Sequence, residues 1–421
     1  MKEILKDLEI DDPSFAFLGY YEGFAVPDGP VPNKSEVGRA FYNLAKIYYD
    51  KSDLDKAEEN FVKALKCSNK SEDHFVILKT LGFLIRIASE GLEDEKAKKY
   101  IELAREVAEG LTGVMDNLNS EYFYHLGVLG NYMGNFLDAE KNFLLAYKKS
   151  KEENNPELLS KCLLSLATNK YLEGDYKLAM DYVSQLNELL KIIDKSYLQG
   201  SMYLLLGKIY VELGEYQKAL VSFGNANNIL QAKKCWNLYG YVLLGKGTAY
   251  KNMGEYDNAL LFFELARNIA DPQTFKRLYN ILRSEIEEVN DSSVDLYLDK
   301  TNRKIREKFL GIIDFKHRFI LLEILFLLAR NPGTSFDKEQ LAKAVWKDEY
   351  NPLIHDKLIY TSVSRLRKLI EPKNNKDDRR KYILRSKDGY TFNSVVKIRF
   401  HMESKANFSN TIANVDLSSP V

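Results

Sequence analysis

Four strings recur along the chain at a fixed step: GNFLDAEKNFLLA from Gly134, GDYKLAMDYVSQL from Gly174, GEYQKALVSFGNA from Gly214 and GEYDNALLFFELA from Gly254, each 40 residues after the last. Two weaker copies lie upstream, SDLDKAEENFVKA from Ser52 and LEDEKAKKYIELA from Leu92. The equivalent alanines are Ala57, Ala97, Ala139, Ala179, Ala219 and Ala259, so the register holds with one step of 42. Such a period means supersecondary units that stack on their neighbours because none can bury its apolar face alone. Each unit reads as two helices and a tight turn. The glycine stands where the first helix must stop. The alanine lets the second helix pack close, and an aromatic four residues on (Phe61, Phe143, Phe223, Phe263) fills the space between neighbouring pairs.

Composition agrees with a mainly α chain. Of 421 residues 45% are hydrophobic and 29% charged, with 27 Tyr and 22 Phe but only 10 Pro. No apolar run reaches the ~18–20 residues of a membrane span. The longest, Phe319–Ala329, carries Glu323 and reads as a buried helix. The start, MKEILKDLEIDD, lacks a basic-then-apolar signal pattern, so a cytoplasmic protein is expected. Cys67, Cys162 and Cys235 lie far apart without metal-ligand spacing and read as reduced packing residues. No Gly-rich phosphate loop, nucleophile elbow or acid/base pair stands out, so neither enzymatic activity nor a cofactor or metal is expected.

The net charge of zero hides a split. Residues 303–400 hold 23 Lys+Arg against 12 Asp+Glu, a charge of +11, whereas residues 1–302 carry −10. A basic segment beside an acidic one suggests a polyanion partner for the basic one. Within it, His355–Pro372 reads HDKLIYTSVSRLRKLIEP. On a helical wheel, Leu358, Ile359, Ser362, Val363, Leu366, Leu369 and Ile370 fall on one arc. Lys357, Tyr360, Thr361, Ser364, Arg365, Arg367 and Lys368 fall on the other, which carries no acid. Around this helix the chain reads as a short extended segment (304–314), an apolar helix (317–329) stopped by NPG, a second helix (336–346) capped by Asp337, and, after the basic helix, a hairpin around Asp388-Gly389.

The acidic segment resembles the tetratricopeptide repeat in a long, roughly 40-residue form, over about residues 39–270; Gly207 and Tyr210, and Gly247 and Tyr250, match that family's first-helix positions. The resemblance implies a right-handed α-solenoid of about six helical hairpins with a concave groove. The family register places Arg39, Tyr42, Lys46, Lys79, Arg86, Tyr124, Asn131, Lys161, Lys208 and Lys251 in that groove, where they would meet an acidic peptide or a chain-terminal carboxylate. An ordinary solvated face is the alternative for these lysines and arginines.

The basic segment resembles the C-terminal DNA-binding domain of OmpR-type response regulators, an α+β winged helix-turn-helix. The motifs are LGIIDFKHRFILLEIL, EQLAKAVW, SRLRKLIEP and YILRSKDGYTF. The resemblance implies that the third helix enters the major groove of double-stranded DNA and that the hairpin wing reaches the adjacent minor groove. Arg365, Arg367 and Lys368 then match the family's basic motif, and Lys357, Tyr360, Thr361 and Ser364 share their face. Arg385 and Lys387 lie on the wing, where Arg385 stands one place earlier than the family's arginine, a step that reverses the face in a strand.

The domain organisation expected is a capping segment (1–34), the repeat solenoid (35–270), a terminal helix and linker (271–302), the winged helix (303–400) and a disordered tail (401–421). The functional expectation is a bacterial-type, sequence-specific transcription regulator in signal transduction, whose solenoid senses or recruits a peptide or protein. RNA polymerase and a second copy of the chain are further candidate partners, and no membrane contact is expected. The alternative is a non-enzymatic interaction scaffold whose winged helix docks on protein.

Overall fold

The periodic sequence folds into six helical hairpins: α1 (Lys34–Asp50) with α2 (Leu54–Cys67), α3 (His74–Glu90) with α4 (Asp94–Thr112), α5 (Ser120–Tyr132) with α6 (Phe136–Glu152), α7 (Pro156–Glu173) with α8 (Tyr176–Leu190), α9 (Ser196–Glu212) with α10 (Tyr216–Lys233), and α11 (Tyr239–Asn252) with α12 (Tyr256–Ile269). Helix α13 (Lys276–Asn290) follows. The structure, a computed structural model, describes residues 34–69, 73–112, 118–193, 195–290, 294–372, 380–387 and 389–401. The expected capping segment and tail therefore lie outside the described residues, apart from Lys34 and His401.

Each hairpin turns on one left-handed residue. Gly134, Gly174, Gly214 and Gly254 have φ of 76°, 82°, 75° and 68°. Ser52 and Leu92 hold the same place in the first two hairpins at 66° and 56°, a conformation that strains a residue with a Cβ. The alanine and the aromatic have the expected role. Ala139, Ala179, Ala219 and Ala259 are fully buried, as are Phe61, Phe143, Phe223 and Phe263. Phe223 explains the first-helix glycine: a Cβ at Gly207 or at Gly245 of the next hairpin would stand 2.5 Å from its ring.

The chain divides into two compact units. The first holds the described residues up to Ala249 together with Phe262–Arg283. Within it the superhelix returns on itself: Glu90 at the end of α3 accepts from the Tyr241 hydroxyl of α11 (2.6 Å) and from the Leu278 backbone N–H of α13 (3.2 Å). Glu90 is buried, and burial pushes its carboxyl up from the ordinary range.

The second unit holds Tyr250–Leu261 and the described residues from Ser284 onward. Its first sheet has the order β3-β2-β1-β7, built from β1 (Leu296–Asp299), β2 (Lys304–Glu307), β3 (Gly311–Asp314) and β7 (Ile398–Phe400). β1 pairs antiparallel with β2 and parallel with β7. Three helical segments follow. α14 is Phe319–Arg330, α15 is Lys338–Leu341 widening into a π-turn over Ala342–Trp346, and α16 is Pro352–Ile370. A second sheet, β4-β6-β5, joins β4 (Ser335–Asp337) to the hairpin of β5 (Ile383–Arg385) and β6 (Gly389–Phe392). Its tip residue Asp388 lies outside the described residues. This is a winged helix-turn-helix, and Leu298, Ile305, Leu325, Val363, Leu366 and Phe392 lie in its shared core.

Two local expectations shift, and the Asp337 cap stands as expected. The stretch read as linker contains β1, all four of whose residues are buried. The second helix starts at Lys338, because Phe336 is in β4 opposite Tyr390. Asp337 caps it in a reciprocal box: Gln340 N–H donates to Asp337 Oδ1 (2.7 Å) and Asp337 N–H to Gln340 Oε1 (3.0 Å).

Candidate nucleic-acid interface and peptide groove

Helix α16 forms where the sequence supplies a cap and an amphipathic run. Asn351 accepts from the Leu353 backbone N–H (3.0 Å), and Pro352 occupies the first turn, where its missing N–H costs nothing. His355, Ile359, Val363, Leu366 and Ile370 are buried. Lys357, Tyr360, Arg365 and Lys368 are exposed, and Thr361 and Ser364 half-buried. The Thr361 hydroxyl donates to the Lys357 carbonyl (2.8 Å), so its methyl and its remaining oxygen acceptor are what it offers outward. Arg385 and Lys387 of the wing are exposed.

Arg367 departs from expectation. Its guanidinium donates to the Ile383 carbonyl from Nε (3.1 Å) and Nη2 (2.8 Å) and lies 5.3 Å from the centre of the Tyr390 ring. Burial, with Arg380 nearby, pushes its pKa down. It braces α16 against the wing, so its charge is not free on the helix surface. Glu371 adds a second brace that sequence reasoning missed, accepting the backbone N–H groups of Lys381 (2.8 Å), Tyr382 and Ile383 (both 3.2 Å). An acid just beyond a basic helix gave no signal of this role. Lys338 and the Tyr350 hydroxyl both reach Asp356, fixing the turn before α16 to its first residues.

In the repeats, several expected groove residues converge on a cavity of about 250 Å³. Tyr42 and Lys46 of α1, Lys79 and Arg86 of α3, Tyr124 of α5 and Lys161 of α7 all line it. Lys79 pairs with Glu121, and Lys161 with Glu157 (3.0 Å), which also holds Lys195 (2.5 Å). Burial raises the Glu121 and Glu157 carboxyls, but His125 and Lys79 at Glu121, and Lys195 and Lys161 at Glu157, more than offset it and hold both at about 2. The Arg86 guanidinium donates to the Tyr132 hydroxyl (3.0 Å) and stacks 4.7 Å from the centre of Phe83.

Other expected residues do not join this cavity. Arg39 is exposed and paired with Asp73 (3.2 Å). Lys208 is 3% exposed. Lys251 is not a groove residue: it is buried and ion-paired with Glu285 (2.6 Å) and Glu288 (3.0 Å) of α13. The helix that follows the last hairpin covers the face that the register leaves open. Asn131 lies outside the cavity lining, and both polar atoms of its side chain are buried with no hydrogen-bond partner among the described residues.

Among the described residues, no group of His, Cys, Asp and Glu is placed to hold a metal ion, and no helix is long and apolar enough to cross a membrane. Cys67, Cys162 and Cys235 are buried free thiols.

Comparison with known proteins assigns both segments. The family model described as transcriptional regulatory protein, C terminal, matches residues 320–392, from α14 through the wing. The tetratricopeptide repeat model matches residues 38–70, 200–229 and 240–270. The chain thus carries tetratricopeptide repeats followed by an OmpR-type winged-helix domain. A search of curated proteins finds no match. Among solved structures, NprR in complex with its cognate peptide NprX is 15% identical, covers 68% of this chain and 79% of its own, and has a TM-score of 0.48. The apo form of RapI is 17% identical over 59% of this chain and 81% of its own, with a TM-score of 0.40. Aspartyl phosphate phosphatase F from Bacillus subtilis is 17% identical over 64% and 78%, with a TM-score of 0.36.

Proposed function

We propose that this protein is a bacterial-type, sequence-specific transcription regulator of the cytoplasm, whose repeats bind a peptide or protein segment as its input. The family match over residues 320–392 supports DNA binding. The observation that carries the finer reading is the exposed Lys357–Tyr360–Arg365–Lys368 face on a helix braced from behind by Arg367 and Glu371. An arginine so presented can donate two hydrogen bonds to a guanine edge, while the lysines neutralise phosphates. For the repeats, the cavity lined by Lys46, Lys79 and Lys161 supports a ligand with acidic groups.

One observation favours the scaffold reading. Leu353 is 92% and Ile354 55% exposed in the first turn of α16, an apolar pair suited to docking on protein. Selection from a randomised duplex library with the full-length protein separates the two. A regulator enriches one motif, and its affinity falls steeply between ~50 and ~200 mM salt. Sequence-blind, weak retention would leave the scaffold.

A further inference from the structure

The winged helix carries a concavity of its own, of about 560 Å³. Its wall is apolar: Phe319 and Ile320 open α14, Trp346 ends the π-turn, and Leu358 comes from α16. These side chains are not all packed away. Phe319 is 50% and Leu358 40% exposed, although the helical wheel puts Leu358 on the arc meant for burial. The cations of the lining are Arg318, Arg365 and Lys368, and no Asp or Glu is among the residues that form it. Arg365 and Lys368 make no hydrogen bond or ion pair with another described side chain. The Arg318 guanidinium donates to the Asp314 carbonyl (3.2 Å), which leaves the other donors of its fork.

We propose that this cavity binds a small aromatic carboxylate, and that the bound acid and DNA exclude each other. The second half rests on the reading of α16 as the DNA-contacting helix. Apolar walls with a few polar groups are the general form of a small-molecule site, and the volume falls within its range of ~300–1,000 Å³. A phosphate of the DNA backbone fits such walls poorly, because the side chains of Phe319, Ile320 and Leu358 offer its oxygens no donor. An aromatic body covers those side chains and can stack on Phe319 or Trp346, while its carboxylate takes a paired hydrogen bond from a guanidinium. Arg365 serves both ligands. The side chain that would read a guanine edge is then held by the carboxylate. Exclusion follows from that shared side chain, with no movement of the helix.

The test uses full-length protein, with 4-phenylbutyrate and 2-naphthoate as probes, their primary amides as controls, and a fluorescein-labelled duplex of random sequence. Ionic strength is held constant, and equilibrium dialysis gives each affinity. The acids should bind roughly tenfold more tightly than the amides, the size of one charge-assisted hydrogen bond. Each acid should displace the duplex over the concentration range in which it binds. Phe319→Ala should weaken both acids about fivefold, the size of one lost aromatic contact. In protein carrying Trp236→Phe, the remaining tryptophan, Trp346, should shift its emission as 4-phenylbutyrate binds. Equal binding of acids and amides, or binding of no probe, would overturn the site. Displacement by inorganic phosphate at the same concentrations would make the cavity a seat for the DNA backbone and overturn the proposal while leaving the DNA reading intact. Acids that bind without displacing the duplex would overturn the exclusion. Protein that retains no duplex at ~50 mM salt before any acid is added would sink the DNA reading, and dialysis would still decide the carboxylate site. Should Phe319→Ala fail to fold by circular dichroism, the acid-to-amide ratio of the unmodified protein decides.

Discussion

The Tyr256 hydroxyl donates to Asp299 Oδ2 across 2.5 Å, and both residues are fully buried. Tyr256 opens the second helix of the sixth hairpin, and Asp299 ends β1. Asn302 completes the joint, donating to Asp299 from its backbone N–H (2.9 Å) and from Nδ2 (2.7 Å), and from Nδ2 to the Asn252 carbonyl (2.8 Å). Lys304 Nζ reaches the Gly254 carbonyl (2.9 Å). The turn of the last repeat is thereby part of the second unit. Tyr256→Phe keeps the ring but leaves one oxygen of a buried carboxylate with Asn302 alone. We expect a loss of about 1–3 kcal/mol, read as a lower Tm of the full-length protein. An unchanged Tm would mean the hydrogen bond contributes nothing to stability.

The left-handed turns predict a gain. Leu92 holds φ 56° where four other hairpins place glycine. Replacing it relieves about 1–2 kcal/mol of strain and adds about 0.5–1 kcal/mol of unfolded-chain entropy against it. Leu92→Gly should therefore stabilise by roughly 0.5–1 kcal/mol. Chemical denaturation measures it through the midpoint at constant slope. Destabilisation would show that the half-exposed Leu92 side chain matters more than its backbone.

Much of this was legible in the sequence, for a physical reason. A turn that needs positive φ selects glycine, and a close helix crossing selects alanine, so each hairpin leaves its mark every 40 residues. The winged helix was legible from its motifs and from a helix with one apolar arc. β1 was not. Its four residues are all buried, so Leu-Tyr-Leu-Asp shows no in–out alternation, and it follows the polar NDSSVD. Arg367 was misplaced because a wheel separates polar from apolar but cannot tell solvent from a neighbouring strand. Lys251 was misplaced because the register assumes an open next position. Glu285 and Glu288, three apart on one face of α13, were the available hint.

Acid should loosen the groove. Glu121 is held at about 2 because Lys79 and His125 outweigh burial. A depressed carboxylate contributes stability above its unfolded pKa of about 4.5 and loses it as pH falls toward 2. Glu121 is 28% exposed at its side chain, so we expect a contribution on the order of 2–3 kcal/mol. Full-length protein and Glu121→Gln should differ most near neutral pH and converge near pH 2. A constant difference across that range would refute the linkage.

Two neighbouring arginines of α16 should fail differently. Arg365 is exposed, so Arg365→Ala should preserve Tm and cost about 1–3 kcal/mol of discrimination at one base position. Arg367 ties the helix to Ile383, so Arg367→Ala should lower Tm and weaken binding to every sequence alike. Competition binding with a selected site and its single-base variants, alongside melting curves, distinguishes them. Loss of base preference without loss of stability in Arg367→Ala would return that residue to the DNA surface.

The boundary expected at residue 303 cuts through a sheet. β1 is an inner strand of the order β3-β2-β1-β7 and pairs with strands on both sides. A fragment of residues 303–400 loses Leu296 and Leu298, both at most 1% exposed, and leaves β7 with no partner in the sheet. Burying two such leucines is worth about 1.5–3 kcal/mol each, against a total of about 5–15 kcal/mol for a domain. The fragment should therefore lack a cooperative melt. A fragment of residues 294–401 restores β1 and the Tyr297 hydroxyl's contact with His401 Nδ1 (2.6 Å), and it should fold. It still lacks Tyr256 and the Gly254 carbonyl, so Asp299 and Lys304 lose partners, and its Tm should fall below that of the same unit in the full chain. Circular dichroism melts of the two fragments, with the full-length protein as reference, decide the order. If residues 303–400 melt as sharply and at the same temperature as residues 294–401, β1 is dispensable and the sheet begins at β2.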